Sequence, residues 1–119
     1  MYLDYEQFLE AIDKIAKKAE EWQVDSVWGI PRGGLVPAVY LSHRLDVPVD
    51  AFLSGDRCLL VDDISDSGKT LEAESANYYY KTATIFFCRE SCFEPDFWVY
   101  EKNDDWVIFP WENRNAEER

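Results

Sequence analysis

The chain has 119 residues, with 24 Asp and Glu against 12 Lys and Arg and a formal net charge of −12. That balance excludes nonspecific binding to DNA or RNA, where many phosphates must be neutralised by cations, and no apolar run approaches the roughly 18 residues of a membrane span. With 47% apolar and 16% aromatic residues the composition builds a real core. The expectation is one domain over residues 1–112 with a polar tail at 113–119. The N-terminal segment alternates charged with apolar residues and shows no signal peptide's apolar stretch, so a cytoplasmic location is expected. Cys58, Cys88 and Cys92 are odd in number and contain no C-x-x-C pair, which indicates neither a disulfide framework nor a zinc site.

The first predicted element is a helix. Asp4 and Gln7 form an Asp variant of the capping box, Leu3 and Phe8 a hydrophobic staple, and Phe8, Ile12, Ile15, Ala19 and Trp22 recur at three- and four-residue spacing. Residues 26–30 are a short apolar run stopped by Pro31-Arg32-Gly33-Gly34, after which 35–45 reads as a second helix. Pro48 breaks the chain, Ser54-Gly55-Asp56 marks a turn, and Cys58-Leu59-Leu60-Val61 is a continuous apolar run suited to a strand buried on both faces. The stretch from Asp62 to Gly68 supplies turn chemistry, residues 69 to about 80 a third helix, and 82–88 another buried strand. Residues 96–101 and 106–110, separated by Lys102-Asn103-Asp104-Asp105, read as a hairpin with a four-residue loop. Alternating strands and helices imply an α/β fold with a mostly parallel central sheet flanked by helices, ligands at the carboxyl ends of the strands, and the C-terminal hairpin as a small hood.

Two loops fall where that rule puts ligands. Gly68-Lys69-Thr70 looks like the end of a phosphate-binding P-loop, but the motif needs a Gly five residues before Gly68 and Asp63 stands there. Adjacent carboxylates would repel a triphosphate wrapped around the loop, whereas they suit sugar hydroxyls or a divalent cation. Asp62 and Asp63 offer that chemistry, and Ser67, Gly68, Lys69 and Thr70 offer N–H groups, hydroxyls and a helix N-terminus to a monophosphate. A ribose 5-phosphate satisfies both halves.

The thirteen residues Cys58-Leu59-Leu60-Val61-Asp62-Asp63-Ile64-Ser65-Asp66-Ser67-Gly68-Lys69-Thr70 closely resemble the phosphoribosyl pyrophosphate motif of type I phosphoribosyltransferases. The resemblance implies that Asp62 and Asp63 bind the ribose hydroxyls and magnesium, with Asp63 the nearer metal contact. It also implies that Asp66, Ser67, Gly68, Lys69 and Thr70 cradle the 5-phosphate, and that Asp66 is catalytic, assisting proton movement at the imidazole nitrogen of the base. Gly29-Ile30-Pro31-Arg32-Gly33-Gly34-Leu35-Val36-Pro37 resembles the pyrophosphate loop of the same family, in which Arg32 and the Gly33 backbone hold the leaving diphosphate and a non-proline cis bond often precedes the Arg.

The C-terminal stretch, Pro95-Asp96-Phe97-Trp98-Val99-Tyr100 and then Asp105-Trp106-Val107-Ile108-Phe109-Pro110-Trp111-Glu112, is similar to the end of xanthine-guanine phosphoribosyltransferases. By that resemblance Trp106 stacks on a purine and the Val107 backbone meets its 2-substituent edge. A cation after the preceding strand contacts O6. Trp98 and Trp111 read as core or interface aromatics. The family carries Lys at the O6 position where this chain has Arg89. Arg89 either donates to O6 and N7 together or pairs with Glu90 or Asp96 at the surface. The family's long mobile lid is replaced by a short turn between Val49 and Arg57. The implied activity is transfer of a phosphoribosyl group from phosphoribosyl pyrophosphate to a purine base, a 6-oxopurine such as guanine, xanthine or hypoxanthine, in purine salvage. Mg²⁺ is the implied cofactor and a homo-oligomer, dimer or larger, the expected assembly. The rival is a non-catalytic regulator of the same fold that binds phosphoribosyl pyrophosphate or a nucleotide.

Overall fold

A computed structural model of the chain describes residues 2–50, 57–65, 68–75, 80–102 and 107–112. The expected turn at 54–56, the short lid region between Val49 and Arg57 for the most part, and the polar tail at 113–119 lie outside the described residues.

Helix α1 (Tyr5–Trp22) begins as its sequence dictates. The Asp4 carboxylate accepts a hydrogen bond from the Gln7 N–H at 2.8 Å, and the Gln7 side chain accepts from the Asp4 N–H at 3.0 Å. This reciprocal cap satisfies donors that the first turn would leave unpaired. Phe8, Ala11, Ile12, Ile15, Ala16 and Ala19 form the buried stripe. Strand β1 (Ser26–Gly29) and helix α2 (Leu35–Leu45) follow, then β2 (Cys58–Ser65), α3 (Lys69–Ser75), β3 (Lys81–Cys88) and β4 (Phe97–Lys102). Both α1 and α2 end on residues in the left-handed conformation, Gln23 at φ 57° and Asp46 at φ 55°.

The four strands form one parallel sheet in the order β1-β2-β3-β4. Val49 adds an isolated parallel bridge to Val27 on the free side of β1. Counting that bridge, the chain leaves β1 through α2 toward one edge and then crosses to β2 on the other side. The strand order therefore reverses between β1 and β2, and an open parallel sheet has its ligand crevice outside the carboxyl ends of the strands at such a point.

The sheet is covered on both faces, and β2 shows how. Leu59 and Val61 join Phe8, Ile12, Ile15, Ala38, Leu41, Ala83, Ile85 and Phe86 in the main core. Leu60, between them, points the other way and packs with Ile30 and Leu71, with Trp28 and Phe93 alongside. The unbroken apolar run is the signature of a strand buried on both sides.

Two expectations change, and a third lies partly outside the described residues. Strand β2 runs past Val61 through Ser65, because β3 continues to pair with it at Asp62↔Thr84, Ile64↔Phe86 and Ser65↔Phe87, so the two aspartates lie within a strand and do not open a turn. Helix α3 is described only as far as Ser75, with 76–79 outside the described residues. The C-terminal hairpin does not form among the described residues. Strand β4 pairs in parallel with β3, and Ile108 instead bridges to Tyr2 and accepts a hydrogen bond from the Leu3 N–H at 2.9 Å. The sequence pairs 106–110 with its nearest neighbour, 96–101, whereas Val107 and Phe109 belong to the core under α1 and Ile108 joins the N-terminal Tyr2 and Leu3.

Candidate active site

The loop after β1 turns tightly. The Gly34 N–H donates to the Ile30 carbonyl at 2.8 Å, the Ile30 N–H donates to Val61 O of β2 at 2.9 Å, and the Pro31–Arg32 peptide is cis, as the family resemblance implied. Helix α2 then begins with no side chain capping its first N–H groups and no acid in its first turn, which leaves the positive end of the helix to whatever lies in front of it. In front lies an open cleft of about 540 Å³ lined by Arg32, Gly33, Leu35, Val36, Asp63, Trp111 and Glu112. The Arg32 side chain is exposed.

Asp63 ties the two loops together. Its carboxylate lies so close to the Gly33 Cα that any side chain at position 33 would collide with it. Glycine is thus required at 33 by the close approach of the two ligand loops. The Asp62 carboxylate accepts from the Asp63 N–H at 2.9 Å, and Asp63 from the Ile64 N–H at 2.8 Å. Burial raises both carboxyls above their ordinary range. Asp62 reaches about 8, with the neighbouring Asp63 carboxylate adding to the shift. Asp63 is also raised, with the charge of Glu112 adding to burial. Two half-buried carboxyls whose ionised forms are disfavoured by burial are suited to a ligand that brings a cation or hydroxyl donors.

Beyond β2, Gly68 adopts φ 84°, a conformation that side chains other than glycine rarely take. Its carbonyl accepts from the Glu72 N–H at 2.9 Å, opening α3 with Lys69 and Thr70 exposed in the first turn. Asp66 and Ser67 lie outside the described residues. So does Trp106, the expected stacking residue. Val107 is buried with its side chain in the core, which leaves its backbone as the group to face a ligand.

Arg89 pairs neither with Glu90 nor with Asp96. Its Nε lies 2.5 Å from Glu101 Oε2, because parallel pairing of Phe87 with Glu101 brings β4 alongside the end of β3. Glu90 accepts instead from the Cys88 thiol at 2.9 Å, and Asp96 accepts from the Thr82 N–H and hydroxyl at 2.9 and 3.2 Å. Trp98 stacks on Phe87 at 5.2 Å. Trp111 stacks on Phe109 at 4.9 Å and meets the edge of Phe8, as expected of a packing aromatic, yet it also walls the cleft. Trp111 and Glu112 are the site residues that sequence reasoning did not assign. Their only signal was position at the end of the C-terminal stretch, and their place beside Asp63 depends on how 107–112 docks on α1.

Site and fold together define an α/β protein with an open parallel sheet whose first two strands meet at a cleft lined by Arg32, Gly33 and Asp63, with a glycine-opened turn into α3 after the second. No protein-family model matches the chain. A xanthine-guanine phosphoribosyltransferase of Cereibacter sphaeroides is 35% identical over 114 residues, covering 73% of this chain and 68% of that protein. One of Roseobacter denitrificans is 31% identical over 121 residues with the same coverage. A matched stretch of that length against 73% of this chain means that these relatives carry internal residues this chain lacks. The crystal structure of a purine phosphoribosyltransferase from Pyrococcus horikoshii superimposes with a TM-score of 0.84 at 32% identity, covering 95% of this chain and 94% of that one. A xanthine-guanine-hypoxanthine phosphoribosyltransferase of Helicobacter pylori shares the fold, with a TM-score of 0.80 at 21% identity. The chain belongs to the type I phosphoribosyltransferases, in a shortened form, and it is an enzyme of that class; the non-catalytic alternative is not favoured.

Proposed function

We propose that the protein transfers the phosphoribosyl group of phosphoribosyl pyrophosphate to a purine base, a 6-oxopurine, giving a nucleoside monophosphate and diphosphate in purine salvage. The observation that carries this reading is the meeting of Asp63 with Gly33 beside Arg32 in one cleft, since the bond to be broken joins a ribose carbon to a diphosphate. Arg32, the Gly33 backbone and the uncapped start of α2 hold the diphosphate. Asp62 and Asp63 take the ribose hydroxyls. Asp66, Ser67, Gly68, Lys69 and Thr70 anchor the 5-phosphate. As the C–O bond to diphosphate breaks, charge develops on the leaving oxygens, and donors fixed beforehand stabilise it without having to reorganise. Trp106 stacks on the base, the Val107 backbone reads its 2-substituent edge, Arg89 donates to O6, and Asp66 assists proton movement at the imidazole nitrogen.

The residues present fit magnesium. Among the described residues no group of three or more His, Cys, Asp or Glu side chains is arranged to hold a metal, while Asp63 and Glu112 share the cleft and Asp62 adjoins it. Magnesium is commonly held by one or two carboxylates together with substrate phosphates, and does not need an all-protein cage. When bound it neutralises charge on the departing diphosphate. With a chain charge of −12 and a polyanionic substrate, long-range steering opposes approach, so affinity rests on these local groups.

The purine relatives named above support this choice of base, and the P. horikoshii neighbour of closely matching extent supports turnover by a short chain. The proposal includes a homo-oligomer, supported by the exposed Tyr5, Leu9 and Val39 on α1 and α2, and a cytoplasmic location, supported by three free cysteines. Among the described residues no helix is long and apolar enough to cross a membrane. The test is incubation with phosphoribosyl pyrophosphate, Mg²⁺ and guanine, xanthine, hypoxanthine, adenine, uracil or orotate in turn, measuring nucleotide and diphosphate. Turnover with the 6-oxopurines is expected. Tight binding of the donor without turnover of any base would sink the reading.

A further inference from the structure

We propose that Ser65 and Ser91 are positioning residues that lock the loop after β3 onto the loop after β2, so that the base-side and phosphate-side halves of the site keep one register; the inference rests on the transferase reading above. Ser65 ends β2 with only 1% of its surface exposed. Its Oγ lies 2.9 Å from Ser91 Oγ and 2.9 Å from the Phe93 carbonyl. Ser91 Oγ lies 2.8 Å from the same carbonyl and accepts from the Phe93 N–H at 3.3 Å. Two hydroxyls have two protons between them for three short oxygen contacts. The two hydroxyls and the carbonyl form one relay, in which each hydroxyl donates once, to the Phe93 carbonyl or to the other hydroxyl. Removing Ser65 takes away both bonds from β2 to this loop, and removing Ser91 takes away one of them together with the loop's own bond to the Phe93 carbonyl.

A second contact closes the lock. Gly68 presses so closely on this loop that a Cβ there would meet Ser91 Oγ and the Phe93 nitrogen. Ser65 and Gly68 thus both bear on the one short stretch 91–93. The β3 loop itself is closed by the Ser91 N–H donating to the Cys88 carbonyl at 2.9 Å, and it begins at Arg89. The transfer forms a bond between a ribose held on one side and a base held on the other. Misplacement of reacting groups by about 1 Å costs on the order of a hundredfold in rate even when each substrate still binds.

The test compares the full-length wild type with Ser65→Ala, Ser91→Ala, the double variant and Ser91→Thr, measuring initial rates over base concentration and calorimetric affinity for phosphoribosyl pyrophosphate. Each Ala variant should lower kcat by roughly tenfold or more and raise KM for the base. Affinity for the donor should stay within about twofold. The double variant should be no worse than the poorer single one, because both remove the same relay, and Ser91→Thr should recover most of the rate. Parallel loss of kcat and donor affinity, additive losses, or Ala variants that match wild type would overturn the lock. If wild type forms no nucleotide from any purine, it is the transferase reading that fails. The lock is then decided by hydrogen exchange: faster exchange at the amides of residues 91–93 in both Ala variants upholds it, and unchanged exchange overturns it.

Discussion

The two faces of the sheet are built to different specifications. Under α1 and α2 lies a continuous core in which Phe8, Ile15, Val27, Leu41, Leu59, Val61 and Ile85 are fully buried. On the other face, among the described residues, Ile30, Leu60 and Leu71 make a small cluster with Trp28 and Phe93 at its margin. The thin face is the one that carries α3, Gly68 and the serine relay. Among the described residues, one face therefore buries most of the apolar area, with which folding free energy scales. The other holds ligand loops whose order depends on a few polar contacts, and such low-stability segments are the ones that ligand binding stabilises most.

Two truncations test that division. Phe8→Ala should cost about 3–5 kcal/mol in urea unfolding, because the ring is wholly buried against Tyr40 and Trp111. Trp111 keeps its stack on Phe109, so donor affinity of the folded protein should barely change. Leu71→Ala, 2% exposed on the thin face, should cost less, near the lower end of the 2–5 kcal/mol range for such truncations, because a short helix can collapse onto the gap. It should nonetheless weaken binding of phosphoribosyl pyrophosphate several-fold more than Phe8→Ala does. Equal effects of the two substitutions on affinity would abolish the distinction between the faces.

A smaller effect, opposite in sign to the usual carboxylate behaviour, is expected from the aspartate pair. Folding raises Asp62 to about 8, so between about pH 4 and pH 8 the unfolded chain is ionised there while the folded one keeps its proton. Stability from this group is present at low pH and is lost as pH rises through that window. The metal-free protein should melt at a lower temperature at pH 8 than at pH 5, and Asp62→Asn should flatten the slope. If Mg²⁺ with diphosphate is held at this pair, as proposed, it competes with the proton and its stabilising effect should grow with pH. A melting temperature that rises from pH 5 to pH 8 in the wild type, with no change in slope for Asp62→Asn, would contradict the assignment.

What the sequence made legible follows the range over which its signals act. The capping box at Asp4 and Gln7, the start and end of α1, and the strand-loop-helix pattern around Arg32 depend on residues a few positions apart, and the structure has them as read, whereas around Asp62 the strand runs on to Ser65 because pairing with β3 continues there. The doubly buried run at 58–61 was legible because a central parallel strand needs apolar residues on both faces. The pairing of 107–110 was not, since an apolar run is equally suited to a neighbouring strand or to the distant Tyr2, and only the packing of Val107 and Phe109 beneath α1 decides between them. Likewise the meeting of Asp63 with Gly33, and of Ser65 with Ser91, joins residues about thirty positions apart. The motifs showed that both loops matter, but not which atoms touch.

The smallest predicted effect concerns Arg89. Its ion pair with Glu101 leaves 69% of the Arg side chain and 37% of the Glu side chain exposed, and exposed pairs of this kind are worth at most about 1 kcal/mol. The pair therefore holds the guanidinium at the edge of the sheet only loosely, and a base that accepts from it can compete. Glu101→Gln removes the competing charge with less than about 1 kcal/mol change in stability. If Arg89 donates to the purine, this variant should lower KM for a 6-oxopurine by a factor of about two to five, within the ~1 kcal/mol released, and Arg89→Ala should raise it. Arg89→Lys should fall between, since a point charge replaces a fork that can meet two acceptors at once. The two substitutions move KM in opposite directions only if the guanidinium leaves Glu101 for the base. If both leave KM unchanged, Arg89 serves the β3–β4 edge alone and another group must recognise O6.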